Sequence, residues 1–242
     1  MVKPATTESD ASRLLFTWLS PSPTQELILP SSVTGKLILP SGGVTRGGGV
    51  KSYSKMNETD IRQAAFDLEV KGEQEKAIAM LETVYQRSTE LTGMLAGRLK
   101  RRWLADPDVR KGEGERATQL YGEAYDLAHK ANEHAQAYYN GINYAFMTLA
   151  LHEDKPRATE IAAAVLAHCK AESSDRWKTA TMGEAYLYQG QTDHALQSYQ
   201  AALAQVWDAR ERDSIQRQAI WATRLLEDEI AEARIESLFR KI

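Results

Sequence analysis

The feature that most restricts how this chain can fold is a spacing of small residues that occurs twice with one offset. In Trp177-Lys-Thr-Ala-Thr-Met-Gly183-Glu-Ala-Tyr186-Leu-Tyr-Gln-Gly190-Gln-Thr-Asp-His-Ala195-Leu-Gln-Ser-Tyr199-Gln-Ala-Ala202, small and aromatic residues alternate at helical intervals on both sides of Gly190. A second copy runs Ala65-x-x-Leu68, Gly72, Ala77-x-x-x-Leu81, Val84, and the step from Gly72 to Ala77 equals that from Gly190 to Ala195. Apolar positions three and four apart put their side chains on one helical face, and a glycine between two such runs ends the first helix in a left-handed cap. Antiparallel helices approach closely only where the crossing residues are small. Gly183 and Ala195 are therefore expected at the crossing, with Tyr186 and Tyr199 filling the flanking space.

Two longer variants lie between these copies. Gly97-Arg-Leu-Lys100 pairs with Ala117-x-x-x-Tyr121-x-x-Ala124, and Gly141-x-x-Tyr144 pairs with Ala158-x-x-x-Ala162-x-x-Val165. Their longer loops are expected at Ala105-Asp-Pro-Asp108 and His152-Glu-Asp-Lys-Pro156. One or two further helices over residues 209 to 240 would cap the array and cover its last apolar face. The residue types and offsets match the tetratricopeptide pattern. The expected fold is all-α, a tetratricopeptide-like right-handed superhelix of antiparallel helix pairs with C-terminal capping helices, occupying residues 56–242. The first helix of each pair should line a concave surface suited to ligands or peptides.

Residues 1–55 differ in character. Pro21, Pro23, Pro30 and Pro40, with Gly42, Gly43 and Gly47 to Gly49, oppose helix beyond a short turn near Ala11–Leu19. Thr24-Gln-Glu-Leu-Ile-Leu-Pro30 recurs as Thr34-Gly-Lys-Leu-Ile-Leu-Pro40. The segment reads as a disordered leader; the alternative is a docking segment that adds a strand to a partner's sheet. Gly43-Val-Thr-Arg-Gly-Gly-Gly-Val-Lys51-Ser52 is not a phosphate-binding loop, because Val50 separates the lysine from the glycines, and it reads as a flexible linker.

Composition narrows the function. A net charge of −3 from 30 basic and 33 acidic side chains provides no global field for nucleic acid or anionic membrane. The single Cys169 excludes an intrachain disulfide and a multi-cysteine zinc site, and fits a reducing, cytoplasmic setting. It reads as a buried thiol rather than a nucleophile, since its neighbour His168 points about 100° away on a helix. His129, His134, His152, His168 and His194 never fall at the i, i+4 spacing that sets two ligands on one helical face, so no metal site is expected. No run approaches the roughly 18 to 20 apolar residues that span a bilayer. The N-terminus lacks the basic region and continuous apolar stretch of a secretory signal. No acid, base and nucleophile converge, so catalysis and a cofactor are not expected.

Polar residues on or near first helices mark a candidate groove: Arg98, Lys100, Tyr139, Asn140, Asn143, Arg176, Trp177, Glu184 and Arg217. Arginine offers paired donors to phosphate, asparagine reads base or ribose edges, and Tyr138, Tyr139 or Trp177 can stack on a base. Against this, Asn143 and Glu184 can bond helix ends and the aromatics can be core. The run Arg98, Lys100, Arg101, Arg102 is broken by Leu99 and Trp103 and reads as a solvated face rather than a nucleic-acid contact.

Gly97-Arg98-Leu99-Lys100-Arg101, Tyr138-Tyr139-Asn140-Gly141-Ile142-Asn143-Tyr144-Ala145, Arg176-Trp177-x-x-Ala180-Thr181-x-Gly183-Glu184-Ala185 and Arg217-Gln218 together carry a more specific likeness. Over residues 60 to 225 the chain resembles the divergent tetratricopeptide domain called TPR-S, found in bacterial conflict and signalling proteins. It is also similar to the central regulatory repeats of apoptosis signal-regulating kinases. The resemblance implies a regulatory or sensor module in stress or anti-phage signalling. Such modules are commonly joined to effector domains; none is recognisable here, so an effector is expected to act in trans. The partner would be a protein effector bound through the concave surface, or, alternatively, the groove would sense a nucleotide-derived ligand.

Overall fold

The computed structural model describes residues 56–84, 86–172, 176–205 and 209–240, with the side chains of Arg176 and Arg210 excepted. The expectations for residues 1–55, including the helical turn, the duplicated Leu-Ile-Leu-Pro segments and the glycine linker, lie outside the described residues. Within them are ten helices and no strand: α1 (Glu58–Val70), α2 (Gln74–Glu82), α3 (Thr89–Ala105), α4 (Lys111–Ala131), α5 (His134–His152), α6 (Lys155–Ala171), α7 (Arg176–Tyr188), α8 (Thr192–Leu203), α9 (Ala209–Leu225) and α10 (Glu229–Arg240). None is long and apolar enough to cross a membrane.

Local chemistry sets the starts of several helices. Asn57 and Ser88 cap α1 and α3 by accepting from the Asp60 N–H at 2.9 Å and the Leu91 N–H at 3.1 Å. Asp154 caps α6 through the Arg157 N–H at 3.0 Å, with Pro156 in the first turn, where its missing N–H costs nothing. The turn inside a pair is shared by most of the array. Gly72 and Gly190 take φ values of +76° and +67°, and the next N–H reaches back to Leu68 O and Tyr186 O at 2.8 and 2.9 Å. Glu227 turns the chain between α9 and α10 in the same way, at φ +57°, with Asp228 N–H donating to Thr223 O at 3.0 Å. Glu153 at φ +55° joins α5 to α6. The loop expected at His152–Pro156 is thus a tight left-handed turn, and Pro156 belongs to α6. The loop at Ala105–Asp108 does separate α3 from α4. The C-terminal helices form a fifth pair of their own.

Glycines provide the sockets of the array. A Cβ on Gly183 would lie 2.9 Å from three ring carbons of Tyr199, and one on Gly141 would lie 2.6 Å from Val165 and 2.8 Å from Tyr125. Ala195, Ala202, Ala65 and Ala77 are fully buried at the matching positions. First helices pack against first helices: α5 touches α3, α7 and α9, and α7 touches α9, so α3, α5, α7 and α9 form one inner layer. Phe146 of α5 stacks on Trp221 of α9, ring centroids 5.8 Å apart.

Gly183→Ala should lower unfolding free energy by about 1–3 kcal/mol, because the rigid Tyr199 ring must move. Gly112→Ala, where nothing lies within 4 Å, should be neutral or slightly stabilising. Urea denaturation of both variants checks this; equal effects would contradict the socket account.

Candidate functional site

Lys100, in α3, is the centre of a buried polar chain that crosses the inner layer. Its Nζ donates to Asn143 Oδ1 of α5 at 2.9 Å and to Gln218 Oε1 of α9 at 3.3 Å, a partner 118 residues away in sequence. Gln218 Nε2 donates to Glu184 Oε1 of α7 at 3.1 Å, and the Tyr188 hydroxyl donates to the same oxygen at 2.6 Å. Asn143 Nδ2 closes the other end on Tyr139 O at 2.9 Å. The ammonium also sits 4.2 Å from the centre of the Phe146 ring, a favourable cation–π position. Four successive first helices are thus tied through one charge.

Beside this chain lies a cavity of about 130 Å³, walled by Lys100, Tyr138, Tyr139, Ile142, Asn143 and Trp177 together with Thr181, Glu184, Tyr199 and Gln218. Burial lowers the Lys100 amine from 10.5 to about 8, against the pull of Glu184, with Arg101 adding to the fall. Burial also raises the Glu184 carboxyl, a change that Tyr188, Lys100 and Gln218 oppose. Burial pushes the Tyr188 and Tyr199 hydroxyls well above their usual range. Both bonds to Glu184 end on Oε1, so Oε2 takes part in neither.

Of the candidate groove residues, the structure brings together Lys100, Tyr139, Asn143, Trp177 and Glu184 around this cavity. Others sit elsewhere. Arg98 is buried with Glu69 of α1, Nη2 to Oε2 at 2.9 Å, and its Nη1 donates to Met94 O. Asn140 is fully buried; its Nδ2 donates to Gln136 O at 2.9 Å, and its Oδ1 lies where a Cβ on Gly93 would stand. Arg217 is exposed, its Nε directed at Asp213 O of its own helix. The Arg176 side chain lies outside the described residues. The basic run is not a solvated face either: Arg98 and Lys100 are buried, Arg101 pairs with Glu69, and Arg102 with Glu75 and Glu113. Sequence reasoning missed the acceptors because Glu69 and Gln218 lie far away in the chain. It also passed over Ser214 and Ile215, which line the cavity and carry no distinctive spacing.

The family described as Tetratricopeptide Repeats-Sensor, TPR-S, matches residues 50–150, which include α1 to α4 and nearly all of α5. The α7 and α9 walls of the cavity fall outside that match. A solved structure of kinesin light chain TPR-like repeats from Podosopora anserina is similar at 16% identity, covering 76% of this chain and 93% of that one, with a TM-score of 0.44. No curated protein matches this chain. Nested antiparallel pairs, glycine sockets and left-handed turns define an all-α helix-pair solenoid. The architecture is tetratricopeptide-like, and its stretch over residues 50–150 is similar to the Tetratricopeptide Repeats-Sensor family.

The unfolded chain keeps the Lys100 proton up to about 10.5, the folded chain only to about 8. The native state therefore gains relative to the unfolded one as pH rises through that window. Denaturant titrations at pH 8, 9 and 10 should show wild type improving against Lys100→Met by on the order of 2 kcal/mol. Parallel pH profiles would contradict a buried, poorly solvated ammonium.

Proposed function

We propose that this chain is a non-enzymatic sensor and regulator. A small nucleotide-like ligand occupies the inner cavity, and the resulting change in winding is passed to a protein effector acting in trans. The observation that supports it is the Lys100–Gln218 bond at a cavity wall shared by α3, α5, α7 and α9. A ligand entering there touches four first helices at once, so its binding energy couples directly to the pitch of the array. Trp177 and Tyr139 offer flat faces for a ring, and Lys100, Glu184 and the side-chain amides offer polar edges. The matching family is described as a sensor, and the resemblance to conflict-system domains supports a role in stress or anti-phage signalling.

The cavity is too small to grip a protein in the concave groove. A cavity of about 130 Å³ takes a ring or a single side chain, well below the roughly 300 Å³ at which drug-sized ligand sites begin. A protein effector accordingly meets the outer or edge surfaces of the array, and a larger ligand leaves part of itself outside.

Thermal unfolding against a panel of nucleotides and cyclic nucleotides tests the reading. One binder at about 100 times its Kd should stabilise the fold by about 2.7 kcal/mol. Trp177→Ala should weaken that gain at least tenfold in ligand concentration, while Arg217→Ala leaves it unchanged. No response to any member, with a stable protein partner recovered in its absence, would replace the sensor with a plain scaffold.

A further inference from the structure

A second group of ionisable side chains lies apart from the cavity, where the second and third helix pairs meet. His129 stands in the last turn of α4, His134 begins α5, and His168 stands in the last turn of α6. His168 is buried between the other two, its Nε2 2.8 Å from His129 Nδ1 and its Nδ1 3.0 Å from His134 Nδ1. Tyr125 of α4 closes the group, stacked on His129 and edge-on to His168. Closer to the middle of α5, Tyr125 and Val165 also meet over the missing Cβ of Gly141, so socket and histidines secure one junction.

Counting hydrogens shows what this junction tolerates. Three neutral imidazoles carry three N–H groups. The two N···N bridges use two of them, and the third points outward from His129 Nε2 or His134 Nε2. One added proton fills the remaining outward nitrogen and leaves both bridges intact, with one positive charge on the group. The next proton has only a bridge nitrogen to bind, and two N–H groups then oppose each other across about 3 Å, which breaks that bond.

The surroundings do little to accommodate such charge. Burial, His129 and His134 all lower the His168 pKa from 6.5, and no carboxylate raises it. Lys130 and Lys170 share the last turns of α4 and α6. Glu133, just before His134, accepts from the Thr89 hydroxyl of α3, and Asp126 acts on Tyr125. From α7, the Lys178 ammonium donates to Glu172 O beyond the end of α6. His168 lies in the last turn of α6, where the carbonyl end favours a cation, but burial outweighs that pull.

We propose that His129, His134 and His168 form a proton-operated clasp that holds the second and third helix pairs together when neutral and releases them in acid. His168 turns a different nitrogen to each neighbour, which suits a hydrogen-bonded relay and not a tripod of ligands. Among the described residues, no group of three His, Cys, Asp or Glu side chains is placed to hold a metal ion. Because the folded His168 binds its proton less well than the unfolded ring, stability falls as pH drops through about 6.5.

Melting curves of the full chain at pH 7.5 and 5.5, for wild type and His168→Leu, test the clasp. The wild-type melting temperature should fall by several degrees more than that of the variant between the two pH values; equal falls would overturn the proposal. Should His168→Leu not fold, imidazole NMR of the wild type decides. A His168 ring that titrates below 6.5 supports the clasp, whereas a His168 midpoint at or above 6.5 overturns it. One equivalent of zinc that raises the wild-type melting temperature at pH 7.5 would also overturn it, in favour of a metal site.

Discussion

The array is governed by how closely its helices can cross, and that distance is set where a side chain is missing and a neighbour's group fills the gap. Tyr199 occupies the space above Gly183, Tyr125 and Val165 that above Gly141, and Trp103 that above Gly114, where a Cβ would stand 2.8 Å from the ring. Asn140 does the same at Gly93 with an amide. Each substitution of ring for Cβ draws two helices together while keeping the interior close-packed. Repeated along the chain, this tight nesting winds the first helices into one layer, so that α3 comes within reach of α9.

Two buried polar systems follow from the winding, and they differ in character. Glu69 receives both Arg98 and Arg101, a structural ion pair whose loss would strand a charge in the interior. Among the described residues no carboxylate directly contacts Lys100, which rests on amide oxygens and a ring beside the cavity. The first system fastens α1 to α3. The second ties α3, α5, α7 and α9 through a poorly solvated amine.

Much of the fold was legible because it rests on glycine and alanine, whose small size leaves a clear spacing. Gly72 and Gly190 announced their turns; Glu153 and Glu227 adopt the same left-handed backbone at a strain of order 1 kcal/mol or more and gave no such sign. Hence the turn into α6 and the completeness of the fifth pair were not foreseen. The residues of the Tyr138–Asn143 block divide by helix face. Asn140 and Gly141 serve packing, while Tyr138, Tyr139, Ile142 and Asn143 line the cavity. Arg98 and Lys100 lie only two apart but point to different helices, Arg98 to α1 and Lys100 to α5 and α9. A spacing argument cannot separate them, because the acceptors that decide come from Glu69, Asn143 and Gln218, brought near only by superhelical winding.

A double-mutant cycle between Lys100→Met and Gln218→Leu measures that winding most directly, since the two residues share no contact unless α3 and α9 converge. The two losses of unfolding free energy should be non-additive, with a coupling of about 0.5–3 kcal/mol. Losses that simply add, within about 0.3–0.5 kcal/mol, would mean that the inner helices do not close on one another as described.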